Sequence, residues 1–132
     1  MPSKLMKNSI RSYIQTDSNR PFSEAVLVDK TLYLSGCIGL EKGTSKVPAS
    51  IEVEAHNVME SLRAVLNQAG MTMDDLAYVQ VFCTDISLWD RFNAIYRSFF
   101  GEKLPARAFL GSNKLLFDAH FEIQGIAVKD GA

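Results

Sequence analysis

Between Ser50 and Gly70, the residues Ala55, Val58, Met59, Leu62, Val65, Leu66 and Ala69 recur at three- and four-residue steps. That spacing follows the 3.6-residue period of a helix and gathers all seven on one stripe. A helix with one apolar stripe has to lay it on another surface, so the rest of the chain must supply something flat and apolar. Ser50 stands where an N-cap hydroxyl is wanted, and Glu52 and Glu54 suit the positive end of the helix dipole. Gly70 suits the left-handed residue that ends a helix, so the spacing predicts a helix over Ser50–Ala69.

Strand-like runs surround it. Glu24–Val28 and Thr31–Ser35 flank Asp29 and Lys30 and read as a hairpin, with a short strand near Ile10–Ile14 before it. Ala77–Thr84 is rich in β-branched and aromatic residues, with Val79, Val81 and Cys83 on one face and Tyr78, Gln80 and Phe82 on the other. A second helix is predicted from Ser87, with Asp90 answering it as in a capping box, and its apolar face comprises Trp89, Phe92, Ile95, Tyr96, Phe99 and Phe100. Gly101 ends that helix, and Pro105 leads into a strand over Ala106–Leu110. A last strand runs over Ala119–Val128. This order argues for an α/β (α+β) fold, a mixed sheet with both helices on one face. One layer of helices cannot cover two sheet faces, so the bare face is expected to be buried by association of copies.

Composition narrows the function classes. At 132 residues, with no repeat or linker, the chain is expected to form one domain over 1–132. A net charge of −1 provides no basic field for a phosphate backbone, which argues against nucleic acid as partner. Met1–Ile14 lacks the apolar core of a secretory signal and no segment reaches membrane-spanning length, which points to a cytoplasmic protein without a membrane partner. Cys37 and Cys83 have no partner at metal or redox spacing and read as free thiols. His56 and His120 have no third ligand nearby, so no metal site is expected.

Six ordered segments resemble the reactive intermediate deaminase (RidA/YjgF) family, also labelled the endoribonuclease L-PSP family. They are Pro21–Val26 (PFSEAV), Leu32–Gly39 (LYLSGCIG), Val47–Gly70, Phe82–Phe100 with its Asn93 and Tyr96, Leu104–Phe109 (LPARAF) around Arg107, and the closing FEIQGIAV with Glu122. The resemblance covers about residues 20–129. It implies a chorismate-mutase-like fold and a barrel-like homotrimer with clefts between subunits. The implied activity is that of a hydrolase of the 2-iminobutanoate/2-iminopropanoate deaminase type. Such an enzyme converts small imines and enamines to 2-oxo acids and ammonia, with no metal or organic cofactor.

Carried onto this chain, the resemblance makes Arg107 the holder of the substrate carboxylate and Glu122 the group that orients water. A guanidinium can grip a carboxylate with twin donors, and a carboxylate can aim water and accept its proton. An Arg entering a strand also makes surface ion pairs, and an Arg107–Glu122 pair could be purely structural. If the last two strands form a hairpin about Ser112–Asp118, the two residues face each other. Asn93 matches a helix Asn of the family, with solvent exposure or helix-surface bonding as its bland alternative. Ser35, Gly36 and Cys37 match the pocket-lining loop, although a Gly after a strand is often a turn residue and Cys37 could be a small buried hydrophobe.

Phe22, Cys37, Ala108 and Phe109 depart from the family's Tyr, Gln, Ser and Cys, so the pocket is expected to be more apolar and to suit a bulkier imino acid. The same departures leave open a non-catalytic binder of 2-oxo acids or a regulatory protein of this fold. Endoribonuclease activity is the weaker alternative, given the charge balance and the absence of a His pair for acid–base work.

Overall fold

A computed structural model describes residues 10–130. Residues 1–9, part of the stretch read above for a secretory signal, lie outside them. The strands are β1 (Arg11–Ile14), β2 (Ala25–Val28), β3 (Thr31–Ile38), β4 (Leu76–Cys83), β5 (Ala106–Gly111) and β6 (Phe121–Val128). The helices are α1 (Ile51–Gln68) and α2 (Trp89–Arg97), with short 3-10 turns at Met73–Asp75, Ile86–Leu88 and Leu116–Asp118. The strands form one sheet in the order β1-β2-β3-β6-β4-β5, all neighbours antiparallel except the parallel pair β4–β5.

The apolar stripe of α1 finds its flat surface here. Ala55, Val58, Met59, Leu62 and Leu66 are fully buried against Leu32, Val79, Val81, Phe121 and Ile123 in one core. Ser50 caps α1 by accepting from the Val53 amide at 3.3 Å, and Gly70 takes the expected left-handed conformation, φ 73°. An Arg91–Glu52 pair, with N–O distances of 2.7 and 2.8 Å, ties α2 to the first turn of α1.

Val79, Val81 and Cys83 face the helices, as the alternation predicts. On the other face lie Tyr33, Tyr78, Phe82, Glu122, Gln124 and Ile126, placed together by register and uncovered by any helix among the described residues. Tyr33 is 51% exposed and Tyr13, paired with Val26 on this face, is 61% exposed. Gln80 and Gln124 satisfy each other across it at 2.7 Å.

Four expectations about local structure are corrected. Ser87 does not cap α2, whose N-cap position is Leu88 without a side-chain cap; it lies in the preceding 3-10 turn, capped by Asp85, whose carboxylate accepts from the Ser87 amide at 3.0 Å and the Ser87 hydroxyl at 2.7 Å. A carboxylate is the stronger acceptor, and it engages the hydroxyl that would have formed the capping box. The second helix stops at Arg97 rather than Gly101, because three-residue turns through Phe99 and Phe100 tighten its end and Arg97 donates to the Gly101 carbonyl at 2.7 Å. Trp89 is 47% exposed instead of core, since it opens α2 at the rim, edge-to-face with Phe109 and against the Arg107 guanidinium. Finally, β5 and β6 do not pair: β4 lies between them, and the 112–120 connection passes over its end. The parallel β4–α2–β5 unit occupies the register a terminal hairpin would have used.

Candidate functional site

The sequence-predicted residues fall into two groups on opposite faces of the sheet. Along β4, Val79 pairs with Arg107 and Phe82 with Glu122. Residues three apart on a strand point to opposite sides, so Arg107 projects to the helix face and Glu122 to the bare face. Two strand spacings and a three-residue offset put their Cα atoms on the order of 14 Å apart.

The first group lies at the open edge of the sheet, where β5 is the outermost strand. Pro105 leads the chain into β5, and Arg107 projects back under α2. Asn93 and Tyr96, three apart on α2, meet it from above. With Arg97, Leu104 and Pro105 they line an open pocket of about 270 Å³. Three aromatic rings bracket the guanidinium: its Cζ stands 4.5 Å from the Tyr96 centroid, 5.2 Å from Trp89 and 5.4 Å from Phe109. Cation–π attraction on several sides fixes the orientation of the guanidinium plane.

Arg107 Nη1, Tyr96 Oη and Asn93 Oδ1 are each buried without a hydrogen-bond partner among the described residues. Such atoms each cost on the order of 1–3 kcal/mol unless something satisfies them, so three of them on residues lining one pocket make it a candidate site. Burial pushes the Tyr96 phenol above its ordinary range, with the charge and close approach of the Arg107 guanidinium opposing, so the hydroxyl stays protonated. Tyr96 was read from sequence as part of an apolar stripe. A Tyr rather than Phe at such a position was the available signal, because a buried phenol needs a partner.

The second group is Glu122 with Gly36, and the segments that lead to them. Gly36 lies directly beneath its carboxylate, close enough that a Cβ there would collide with Oε2. Ser35 is held by its hydroxyl to the Ser23 carbonyl at 2.6 Å and by its amide to the Glu24 carbonyl at 2.9 Å. Phe22 is 44% exposed on the adjoining turn, near Arg20. Cys37 departs from this group: a bulge between Leu34 and Cys37 shifts the alternation and turns its side chain toward α1, Sγ 3.9 Å from the Val58 carbonyl. Burial and the nearby Glu122 charge push that thiol up to about 12.

Sequence reasoning read Glu54 only as an acid at the positive end of the helix dipole; it is a fully buried carboxylate on α1. It accepts from the His120 amide at 2.7 Å and the Phe121 amide at 3.3 Å, and bonds His120 Nδ1 at 2.7 Å. Its place on the apolar side of the helix, beside Ala55 and Val58, was the available signal. His56 is half-exposed near Glu60.

Comparisons with known proteins agree with the fold. The chain is 38% identical over 109 residues to the RutC family protein UK114 of Drosophila melanogaster, covering 82% of this chain and 79% of that protein. It is 35% identical over 130 residues to the 2-iminobutanoate/2-iminopropanoate deaminase of Rattus norvegicus, covering 94% of each. The crystal structure of the YjgF gene product of E. coli superposes with a TM-score of 0.80 at 27% identity, over 89% of this chain and 94% of that one. The family model described as endoribonuclease L-PSP matches residues 14–129. On this agreement of sequence and fold, the chain belongs to the RidA/YjgF family.

Proposed function

We propose that this protein hydrolyses small carboxylate-bearing imines and enamines to 2-oxo acids and ammonia, at clefts completed by a second copy of the chain. The observation that carries the reading is the half-buried, aromatic-walled Arg107 guanidinium, its Nη1 buried and unpartnered, beside an open pocket. A guanidinium so fixed is matched to a carboxylate. In this scheme water held by Glu122 adds to the imine carbon, a proton passes to nitrogen, and the C–N bond breaks to release ammonia and the 2-oxo acid.

Arg107 and Glu122 of one chain lie on opposite faces and cannot grip one small molecule. A ring of copies, with the β5 edge of one against the bare face of the next, would bring Arg107 of one to Glu122, Ser35 and Gly36 of its neighbour. Asn93, Phe109 and Phe22 would complete the lining. A homotrimer closes such a ring with three clefts, and the exposed Tyr13 and Tyr33 supply apolar contact area.

A second reading, a non-catalytic binder of 2-oxo acids, is favoured by Phe22, which offers no hydroxyl where the family pattern has Tyr. The test is ammonia release from imino acids generated in situ by an amino-acid oxidase, over side chains from alanine to phenylalanine, with light scattering to fix the assembly. Acceleration abolished in Arg107→Ala, with the assembly intact, is the expected result. No acceleration with any imine, alongside measurable 2-oxo acid binding, would establish the second reading, and a monomer would remove the shared cleft.

A further inference from the structure

We infer that Glu54 and His120 form a second reactive centre, outside the carboxylate site, in which His120 Nε2 is a nucleophile toward neutral acyl donors such as activated esters and anhydrides. Neither residue lines the Arg107 pocket, so the centre stands or falls independently of the proposed hydrolysis.

Glu54 is the one charged side chain in the buried core among the described residues. Its two oxygens divide the work. Oε2 accepts from the His120 amide at 2.7 Å and the Phe121 amide at 3.3 Å, which fixes the carboxylate, and Oε1 meets His120 Nδ1 at 2.7 Å. An ionised carboxylate can only accept, so the proton in that last contact belongs to Nδ1. A neutral imidazole carries one N–H, which leaves Nε2 with its lone pair. The His120 side chain is 39% exposed while Glu54 is sealed behind it, so the ring is the part of the pair that solvent reaches. A carboxylate held against Nδ1 fixes the tautomer, makes the ring more basic and stabilises the positive charge that forms when Nε2 attacks.

The surroundings choose the donor. Asp85 lies close enough for its carboxylate to feel the His120 ring, and neither Asp85 nor Glu54 has a Lys or Arg partner among the described residues. That acidic balance repels anionic donors such as acyl phosphates and leaves neutral ones unhindered. In the reaction Nε2 adds to the acyl carbon, and the leaving oxygen departs with the electron pair of the C–O bond. The Nδ1 proton passes to Glu54 Oε1. The product is a neutral Nε2-acylimidazole whose Nδ1 accepts from the protonated Glu54, so the bond between α1 and the start of β6 persists.

Diethyl pyrocarbonate, a neutral anhydride that transfers an ethoxycarbonyl group to imidazole nitrogen, tests this on the assembled protein. The chain has two histidines, and His56 is the internal control. Its side chain is more exposed, at 54%, and its Nε2 stands 3.6 Å from a partly exposed Glu60. Accessibility alone favours His56, whereas activation by Glu54 favours His120. Peptide mass spectrometry over a time course near neutral pH is expected to show His120 modified about tenfold faster than His56. Glu54→Gln offers Nδ1 an N–H, so Nε2 takes the ring proton and loses its lone pair. In that variant His120 is expected to react no faster than His56, with nitrogen NMR showing the ring proton moved from Nδ1 to Nε2, a change that loss of packing would not produce. Modification of His56 as fast as His120 in the native protein, or a native His120 with its proton on Nε2, would overturn the inference whether or not the variant folds. An unchanged His120 rate in folded Glu54→Gln would overturn it as well.

Discussion

Arg107 and Glu122 stand on opposite faces of one sheet, with strand β4 between their strands. A small imine that needs both must be held by two chains. Arg107→Ala and Glu122→Gln homo-oligomers are accordingly expected to be inactive on their own. Mixed after unfolding and refolding at equal ratio, they should regain about a quarter of wild-type turnover, the fraction of clefts that draws both intact residues in a ring with head-to-tail contacts. Ammonia release from the mixture, with mass spectrometry to confirm mixed assemblies, measures it. An inactive mixture would mean that one chain supplies both groups.

Gly36 controls where the Glu122 carboxylate can sit. A Cβ at position 36 would lie 3.0 Å from Glu122 Cδ and 3.2 Å from Cγ, and these belong to a side chain free to swing. Gly36→Ala is thus expected to cost about 1 kcal/mol or less in stability, read by thermal melting. The displaced carboxylate should lower kcat by tenfold or more, because aimed water loses its geometry. A variant with wild-type kcat would take Glu122 out of the water-orienting role.

The elements were legible where one period dominated the residues. The α1 stripe and the Val79–Val81–Cys83 alternation announced both the helix and its platform, and Ser50 and Gly70 marked the helix ends because capping chemistry is local. The strand order was not legible. Whether Phe121–Val128 pairs with Ala106–Gly111 or inserts between β3 and β4 depends on long-range competition that no local pattern records. That one difference decides whether Arg107 and Glu122 share a face. Tyr96 and Glu54 were hidden for a related reason: each occupies an apolar stripe, and the meaning of a polar atom there depends on what the fold sets opposite it.

The resemblance sets Cys37 in the pocket-lining loop while its chemistry suits a small buried hydrophobe, and the bulge in β3 turns it beneath α1, in keeping with the second reading. With its ionisation pushed up to about 12, first by burial and then by the Glu122 charge, it holds roughly a thousandfold less thiolate near neutral pH than an unperturbed cysteine. Iodoacetamide at pH 8 is expected to leave Cys37 unmodified in the native protein and to label it fully in guanidinium. Cys83 should behave alike, its thiol buried and 3.1 Å from the Asp85 carbonyl. Peptide mass spectrometry over a labelling time course separates the two, and rapid native labelling of Cys37 would show that the bulge opens in solution.

Glu54 is where the helix layer is pinned to the end of the sheet. Its carboxylate serves the amides of His120 and Phe121 as β6 begins, and no water reaches it to replace the bonds. Glu54→Ala strands two donors and opens a small void, so a loss of about 3 kcal/mol is expected, with melting lowered by roughly 10 °C. Glu54→Gln keeps an oxygen facing both amides, and its new N–H can be met by His120 Nδ1 in the tautomer that accepts. That variant should lose about 1 kcal/mol or less. Because Glu122 lies two residues beyond His120, at the start of β6, Glu54→Ala should also blunt turnover well below its melting temperature, whereas Glu54→Gln should not. Equal effects of the two substitutions would show that the charge of Glu54, rather than its acceptor oxygens, holds β6 in place.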